Sequence, residues 1–273
     1  MYLSRLSLLA VSVPFAVCLA ASAADVRISQ VYGGGGSSST SATYKKDYIE
    51  LFNSGSTPVS IGGWVLAYGS ATGNWASSTS NFFTFPKGTV IQPCGYLLVA
   101  CGAAGTGGAD LPVTADFVTT NINASATNGK IGLFNAAIAN VACGSEAAGT
   151  LVDKVSYGTA NCAEGTAVGV LSNATGAVRN GGGTADTDSN VDDFTVVTAP
   201  TPRSSQSPTN PKCGTQPPAC PADLDDNGQV DASDLAALLG AWGGTGTGDI
   251  DGDGSVGASD LAAMLNAWGA CPA

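Results

Sequence analysis

Oxygen-bearing side chains recur at fixed intervals near the C-terminus. The segments "DLDDNGQVDASDLAALLGAWG", from Asp223, and "DIDGDGSVGASDLAAMLNAWG", from Asp249, superimpose with an offset of 26 residues. In each, loop positions 1, 3, 5 and 12 carry an oxygen side chain and position 6 is glycine: Asp223, Asp225, Asn227, Gly228 and Asp234, then Asp249, Asp251, Asp253, Gly254 and Asp260. A hard cation with six or more oxygen ligands needs this spacing, and glycine permits the sharp turn. The backbone carbonyls of Gln229 and Ser255 stand at position 7. Asp231 could hold a water from position 9, where the second loop has only Gly257. Two calcium ions are the expected cofactors, since magnesium tolerates so protein-rich a cage poorly. Nine acids and no base lie between Cys220 and the C-terminus, and without cations they would repel one another.

Elsewhere the chemistry thins out. The chain has no histidine, which excludes Ser-His-Asp and Cys-His catalysis and histidine zinc sites together. Carboxylates are the remaining acid-base groups. Asp47, Glu50, Glu146, Glu164 and the acids from Asp186 to Asp193 lack companion motifs and read as solvated turn or strand-face groups, so no catalytic residue is expected. Lysine and arginine total 10 against 21 acids, which makes binding to nucleic acid a poor fit. The run Gly33 to Gly36 lacks the Gly-Lys-Ser/Thr of a phosphate loop and reads as a flexible connection. Trp64, Tyr68 and Trp75 could stack on a sugar, but core or loop packing is the expected role.

The elements that must position these groups fall into four parts. Residues 1–23 read as a signal peptide, with Arg5, an apolar run from Leu6 to Ala20 and small residues before the cut. Cys18 lies within it, and no later stretch is long and apolar enough to span a membrane. Residues 24–206 alternate β-rich runs with turn clusters: Val26 to Tyr32, Tyr48 to Asn53, Val59 to Tyr68, Phe82 to Phe85, Tyr96 to Ala100, Lys130 to Asn135 and Leu151 to Tyr157. Both faces of the run from Asp47 to Asn53 carry large apolar groups, as in a two-sheet sandwich. Residues 207–219 form a Pro-rich linker, and residues 220–273 form the calcium module. Pro217, Pro218 and Pro221 before the first loop, and "GGTGTG" before the second, leave only helices that exit the loops. Leu235, Leu238, Leu239 and Trp242, matched by Leu261, Met264, Leu265 and Trp268, give apolar stripes expected to pack on each other.

Seven cysteines follow the signal segment, and export makes disulfides the default. Cys220 and Cys271 bracket the module, and Cys143 and Cys162 bracket one strand and turn; both pairs are expected to be bonded. A straight strand between Cys94 and Cys101 would hold them about 23 Å apart, so a bridge between them would require a bend, and their pairing is left open. Cys213 is the expected odd thiol.

The order "VRISQVYGGGG", "DYIELFNSGSTPVSIGGWVLAYGSATGNW", "FTFPKGTVIQPCGYLLVA", "GKIGLFN" and "LVDKVSYGTANCAEG", with the trailing "RNGGGTADTDSNVDDFTVVTAPTPRSSQ", resembles the lamin-tail domain of bacterial secreted proteins. That resemblance implies an immunoglobulin-like β-sandwich over most of residues 25–206, acting as an accessory unit. The duplicated loop-helix with Asp at position 12 resembles the type I dockerin over residues 220–271. It implies two bound calcium ions and docking onto cohesin domains of cell-surface or scaffold proteins. The pairs Ala232-Ser233 and Ala258-Ser259 depart from the two hydroxyl residues usual at the partner-reading positions. The fold expected is therefore mainly β, an immunoglobulin-like sandwich followed by a small α module. The function expected is a secreted or cell-surface, non-catalytic attachment protein with a cohesin-like or cell-surface partner. An extracellular polysaccharide is a second candidate partner. The alternative is a component of a secreted hydrolase system, either polysaccharide-degrading or accessory to a nuclease or phosphatase.

Overall fold

The computed structural model describes residues 25–211, 213, 220–225, 227, 229–246, 248–251 and 253–271. The expected signal peptide with Cys18, residues 212 and 214–219 of the expected linker, and Gly228 lie outside them. Runs rich in β-branched and aromatic residues form strands because such side chains pack well on a pleated, half-buried surface. In chain order these are β1 (Val26–Tyr32), β2 (Asp47–Asn53), β3 (Val59–Ser60), β4 (Val65–Gly69), β5 (Phe82–Thr84), β6 (Val90–Ile91) and β7 (Tyr96–Cys101). They continue with β8 (Phe117–Val118), β9 (Gly129–Phe134), β10 (Leu151–Tyr157), β11 (Thr175–Arg179), the one-turn helix α1 (Asn190–Asp193) and β12 (Phe194–Thr198).

A six-stranded sheet runs β12-β11-β1-β2-β7-β8, and a four-stranded sheet runs β10-β9-β4-β5. The register sets Ile49 opposite Val31 and Val99, and Leu51 opposite Ile28 and Leu97. Val31, Ile49 and Leu51 of the first sheet share one buried cluster with Leu66, Ile131 and Leu133 of the second. The chain is thus mainly β, consistent with an immunoglobulin-like sandwich. The opposite face of β2 is also covered: Tyr48 stacks on Tyr32 at 5.5 Å between ring centroids, and Tyr44 packs on both. The expected run from Val59 to Tyr68 is broken into β3 and β4 by a turn in which Trp64 N–H donates to the Ile61 carbonyl at 3.0 Å. Gly63 adopts a φ of +88° there, a conformation open to glycine. Trp64, Tyr68 and Trp75 are buried, as core packing requires.

Three expectations are overturned. First, Asp47, Glu50 and Asp193 are not solvated; all three are buried and held by donors. Glu50 accepts from Ser29 Oγ at 2.6 Å and pairs with Arg203 Nη2 at 2.7 Å. Asp153 receives both oxygens' worth of bonds from Arg179 Nη2 at 2.9 and 2.8 Å. The second sheet covers one face of the first, and the segments around Tyr44 and Arg203 cover the other at β2, so a polar residue on either face meets protein, and it persists only if paired. Second, the glycines from Gly33 to Gly35 are wedged: a Cβ on Gly35 would lie 2.1 Å from the Lys46 carbonyl carbon, and one on Gly33 would lie 2.4 Å from the Ser125 oxygen. They serve close backbone approach. Third, Cys213 is bonded to Cys94, with Cα atoms 5.3 Å apart, and among the described residues the free thiol is the buried Cys101. The turn before β7 turns Cys94 outward with a φ of +56°, while residues 200–211 return along the sandwich and Asn210 N–H donates to the Cys94 carbonyl at 2.9 Å. Cys143–Cys162 and Cys220–Cys271 are bonded as expected.

The C-terminal part holds β13 (Gln229–Val230), α2 (Ala232–Gly240), α3 (Ala258–Asn266) and β14 (Gly269–Ala270). Its core is Ala222, Val230, Leu238, Val256 and Met264. Of each expected stripe one residue, Leu238 or Met264, is buried and one, Leu235 or Leu261, is partly buried. Leu239, Trp242, Leu265 and Trp268 are 52, 47, 54 and 48% exposed. Val230 and Val256 fill the seam that those side chains were expected to occupy, which leaves the far edge of each helix uncovered.

Candidate metal centre

Each loop is wound around the carboxylate at its twelfth position. Asp234 Oδ1 accepts from Leu224 N–H at 2.7 Å and Asp225 N–H at 3.2 Å, and its Oδ2 accepts from Asp231 N–H at 2.8 Å. Asp260 repeats the pattern with Ile250 at 2.7 Å, Asp251 at 3.1 Å and Gly257 at 2.7 Å. Burial works against ionisation of Asp234, but the N–H groups of Asp231, Leu224 and Asp225 outweigh it and hold its carboxyl below the ordinary aspartate value. The N–H groups of Gly257, Asp251 and Ile250 do the same for Asp260. Both are anions that also cap the helices they begin, which places negative charge at the helix N-terminus where the dipole favours it. A carboxylate has about four acceptor sites, and with three taken by N–H groups each can give a cation one oxygen.

The position-1 and position-5 side chains tighten the turn. Asn227 N–H donates to Asp223 Oδ1 at 3.1 Å, and Asp253 N–H donates to Asp249 Oδ1 at 3.1 Å. Asn227 Oδ1 accepts from Gln229 N–H at 2.8 Å, and Asp253 Oδ1 accepts from the Ser255 N–H at 2.9 Å. The result is two triads, Asp223 with Asp225 and Asp234, and Asp249 with Asp251 and Asp260, in each of which one oxygen per residue lies within 4.8 Å of the others. Two oxygens on opposite sides of a calcium ion, each about 2.3–2.6 Å away, are separated by about that distance. No lysine or arginine exists between residues 220 and 273 to neutralise them. The donor set therefore fits a hard divalent cation in each loop.

Asp231 has a second task beside the loop. Its Oδ1 accepts from Ser233 N–H at 2.8 Å as the N-cap of α2, so it is engaged with the helix. Gln229 lies in β13, and Ser255 sits at the matching place in the second loop. Two neighbours went unnoticed in the sequence. The Cys271 sulfur lies 3.5 Å from Asp223 Oδ2, and each loop is paired with the segment that follows the other repeat's helix. Val230 is opposite Gly269 in the β13–β14 pair. Val256 accepts from Gly243 N–H and donates to the Gly244 carbonyl, both at 2.9 Å. The 26-residue offset relates these two pairings and could have exposed them.

Comparison with known proteins names the family of the sandwich. The lamin tail domain family matches residues 20–159, just over half of the chain. This chain belongs to the lamin tail domain family. The matched span ends before β11, so the last two strands of the six-stranded sheet lie beyond it. Among solved structures, a DUF4876 family protein from Bacteroides thetaiotaomicron is similar at 14% identity and a TM-score of 0.49, over 70% of this chain and 76% of that one. No curated protein matches the chain. No helix of the described residues is long and apolar enough to cross a membrane, and the three disulfides are compatible with an extracellular protein.

Proposed function

We propose that this is an exported, non-catalytic attachment protein whose C-terminal module binds two calcium ions and docks to a cohesin-like or cell-surface partner, with the lamin-tail sandwich as the unit it attaches. The observation that carries this reading is the repeated aspartate triad: two sets of three converging carboxylates at a fixed offset, with no base to offset them. Calcium at each loop would be held by Asp223, Asp225 and Asp234, and by Asp249, Asp251 and Asp260, with Asn227, Asp253 and the carbonyls of Gln229 and Ser255 completing the shell. The ion supplies the charge that lets nine acids share a small module, so its binding free energy becomes folding free energy. The non-catalytic part of the reading is supported by the occupation of the sandwich's buried carboxylates: Glu50, Asp153 and Asp193 each hold an arginine, and Asp47 accepts from the N–H groups of Gly35 and Ala124.

Calorimetric titration of the full chain with calcium tests it. Two ions per chain are expected, one lost in Asp225→Ala and the other in Asp251→Ala. Absence of calcium binding in the natural sequence, or retention of both ions in either variant, would refute the assignment.

A further inference from the structure

The two repeats are joined to each other twice. Where the first repeat ends and the second begins, the link is an ordinary peptide bond, Thr245 to Gly246. Applying the 26-residue offset, the equivalents of Thr245 and Gly246 at the other junction are Cys271 and Cys220. These are bonded to each other, with Cα atoms 5.8 Å apart, against about 3.8 Å across a peptide. The surroundings match as well. Asp249 N–H donates to the Gly246 carbonyl at 2.9 Å, and Asp223 N–H donates to the Cys220 carbonyl at 2.9 Å. The pairing of Val256 with Gly243 and Gly244 has its counterpart in the pairing of Val230 with Gly269.

We propose that the Cys220–Cys271 disulfide takes the place of a peptide bond, closing the two repeats into a ring and holding loop one, but not loop two, in its cation-binding geometry. Cys220 and Cys271 are thus positioning residues for the Asp223 site. The proposal rests on the calcium reading of the loops and adds that one of the two sites answers to thiol–disulfide exchange. Loop two keeps its clasp whatever the redox state, because Gly243 and Gly244 reach Val256 through continuous chain. Loop one is clasped by β14, whose last anchor is Cys271, and the Cys271 sulfur touches the ligand Asp223. An external dithiol would open the ring: it gives two electrons and two protons, the S–S bond breaks to two thiols, and the dithiol is oxidised to its own disulfide. Loop one then loses its clasp and the support beneath Asp223, while loop two loses neither.

The test uses the full chain. Cys220→Ser/Cys271→Ser leaves the other two disulfides intact and is combined with Asp251→Ala to report loop one, or with Asp225→Ala to report loop two. Calcium affinity by calorimetry should fall about tenfold or more at loop one, as expected when a disulfide-closed loop is opened, and less than about twofold at loop two. Equal losses at the two loops would show that the bridge stabilises the module without positioning a site and would overturn the proposal, as would no loss at loop one. A second measurement keeps both cysteines. The dithiothreitol equilibrium of this one disulfide, read by mass spectrometry of alkylated peptides, should shift toward the oxidised form with calcium by the same factor as the affinity ratio. Tenfold corresponds to about 30 mV. The shift should vanish in Asp225→Ala and persist in Asp251→Ala; the reverse, or no shift where calcium binds, refutes it. Failure of calcium to bind the natural chain at all would instead sink the functional reading on which it rests.

Discussion

Replacing Arg203 by methionine should expose how the far end of the sandwich is held. Glu50 is fully buried and accepts bonds from Ser29 Oγ at 2.6 Å, Gln30 Nε2 at 3.1 Å, and the backbone N–H, Nε and Nη2 of Arg203 at 2.6, 3.3 and 2.7 Å. Arg203 also lies 3.8 Å from the Tyr96 ring centroid and donates to the Tyr96 hydroxyl at 2.6 Å. Breaking a buried ion pair from one side costs about 3–5 kcal/mol. The Arg203 side chain is 24% exposed, so water relieves part of that, and a loss of about 2–4 kcal/mol is expected. Burial pushes the Glu50 carboxyl above its ordinary value, and Arg203 pulls it back. Without Arg203 the folded-state value rises further, and a carboxyl raised in the folded state lowers stability as pH climbs from the unfolded value through the folded one. The deficit of Arg203→Met should therefore be larger at pH 8 than at pH 5. Glu50→Gln/Arg203→Met removes both charges and should recover more than half of the loss. Urea unfolding followed by the buried Trp64 and Trp75 reads all three variants at fixed calcium. A single variant within about 1 kcal/mol of the natural protein, below the range for a broken buried pair, or a double variant no better than the single, would refute the reasoning.

Burial raises Asp47 to about 7 against the N–H groups of Ala124 and Gly35 that lower it. Sandwich stability should therefore decline as pH rises from about 4 toward that value, and Asp47→Asn should remove that part of the slope in urea titrations across the range. An unchanged slope would exclude Asp47 as its source. Gly35→Ala, whose Cβ would meet backbone atoms of Lys46 and Asp47 at 2.1 and 2.2 Å, should cost about 2–4 kcal/mol; a urea midpoint unchanged from the natural protein would show that the segment yields. In the calcium-loaded module, Leu238→Ala should cost about 2–5 kcal/mol and its neighbour Leu239→Ala under about 0.5 kcal/mol, because the first is buried and the second is 52% exposed. Thermal melts that rank the two in the opposite order would mean that the seam is misplaced.

What could be read from the residues alone was local. The oxygen spacing within twelve residues, the glycines at sharp turns and the strand-forming runs all depend on contacts between near neighbours, so their periods are written directly into the chain. Strands β11 and β12 escaped because "TGAVR" and "FTVVT" are short and lie between turn residues, and pairing with β1 is what makes a strand of the former. The assignment of Cys213 as the odd thiol failed for a related reason: Cys94 and Cys213 are 119 residues apart, and nothing near either one records that the chain after β12 returns across the turn before β7. Glu50 and Arg203, 153 residues apart, posed the same problem. Their charges were visible and their burial was not. Within the C-terminal module the repeat was legible, but which half of each helix stripe faces inward was decided by Val230 and Val256 entering the seam from the loops. Burial and long-range pairing depend on the path of the whole chain, which brings distant segments together only after local structure has formed; no window of sequence contains both partners.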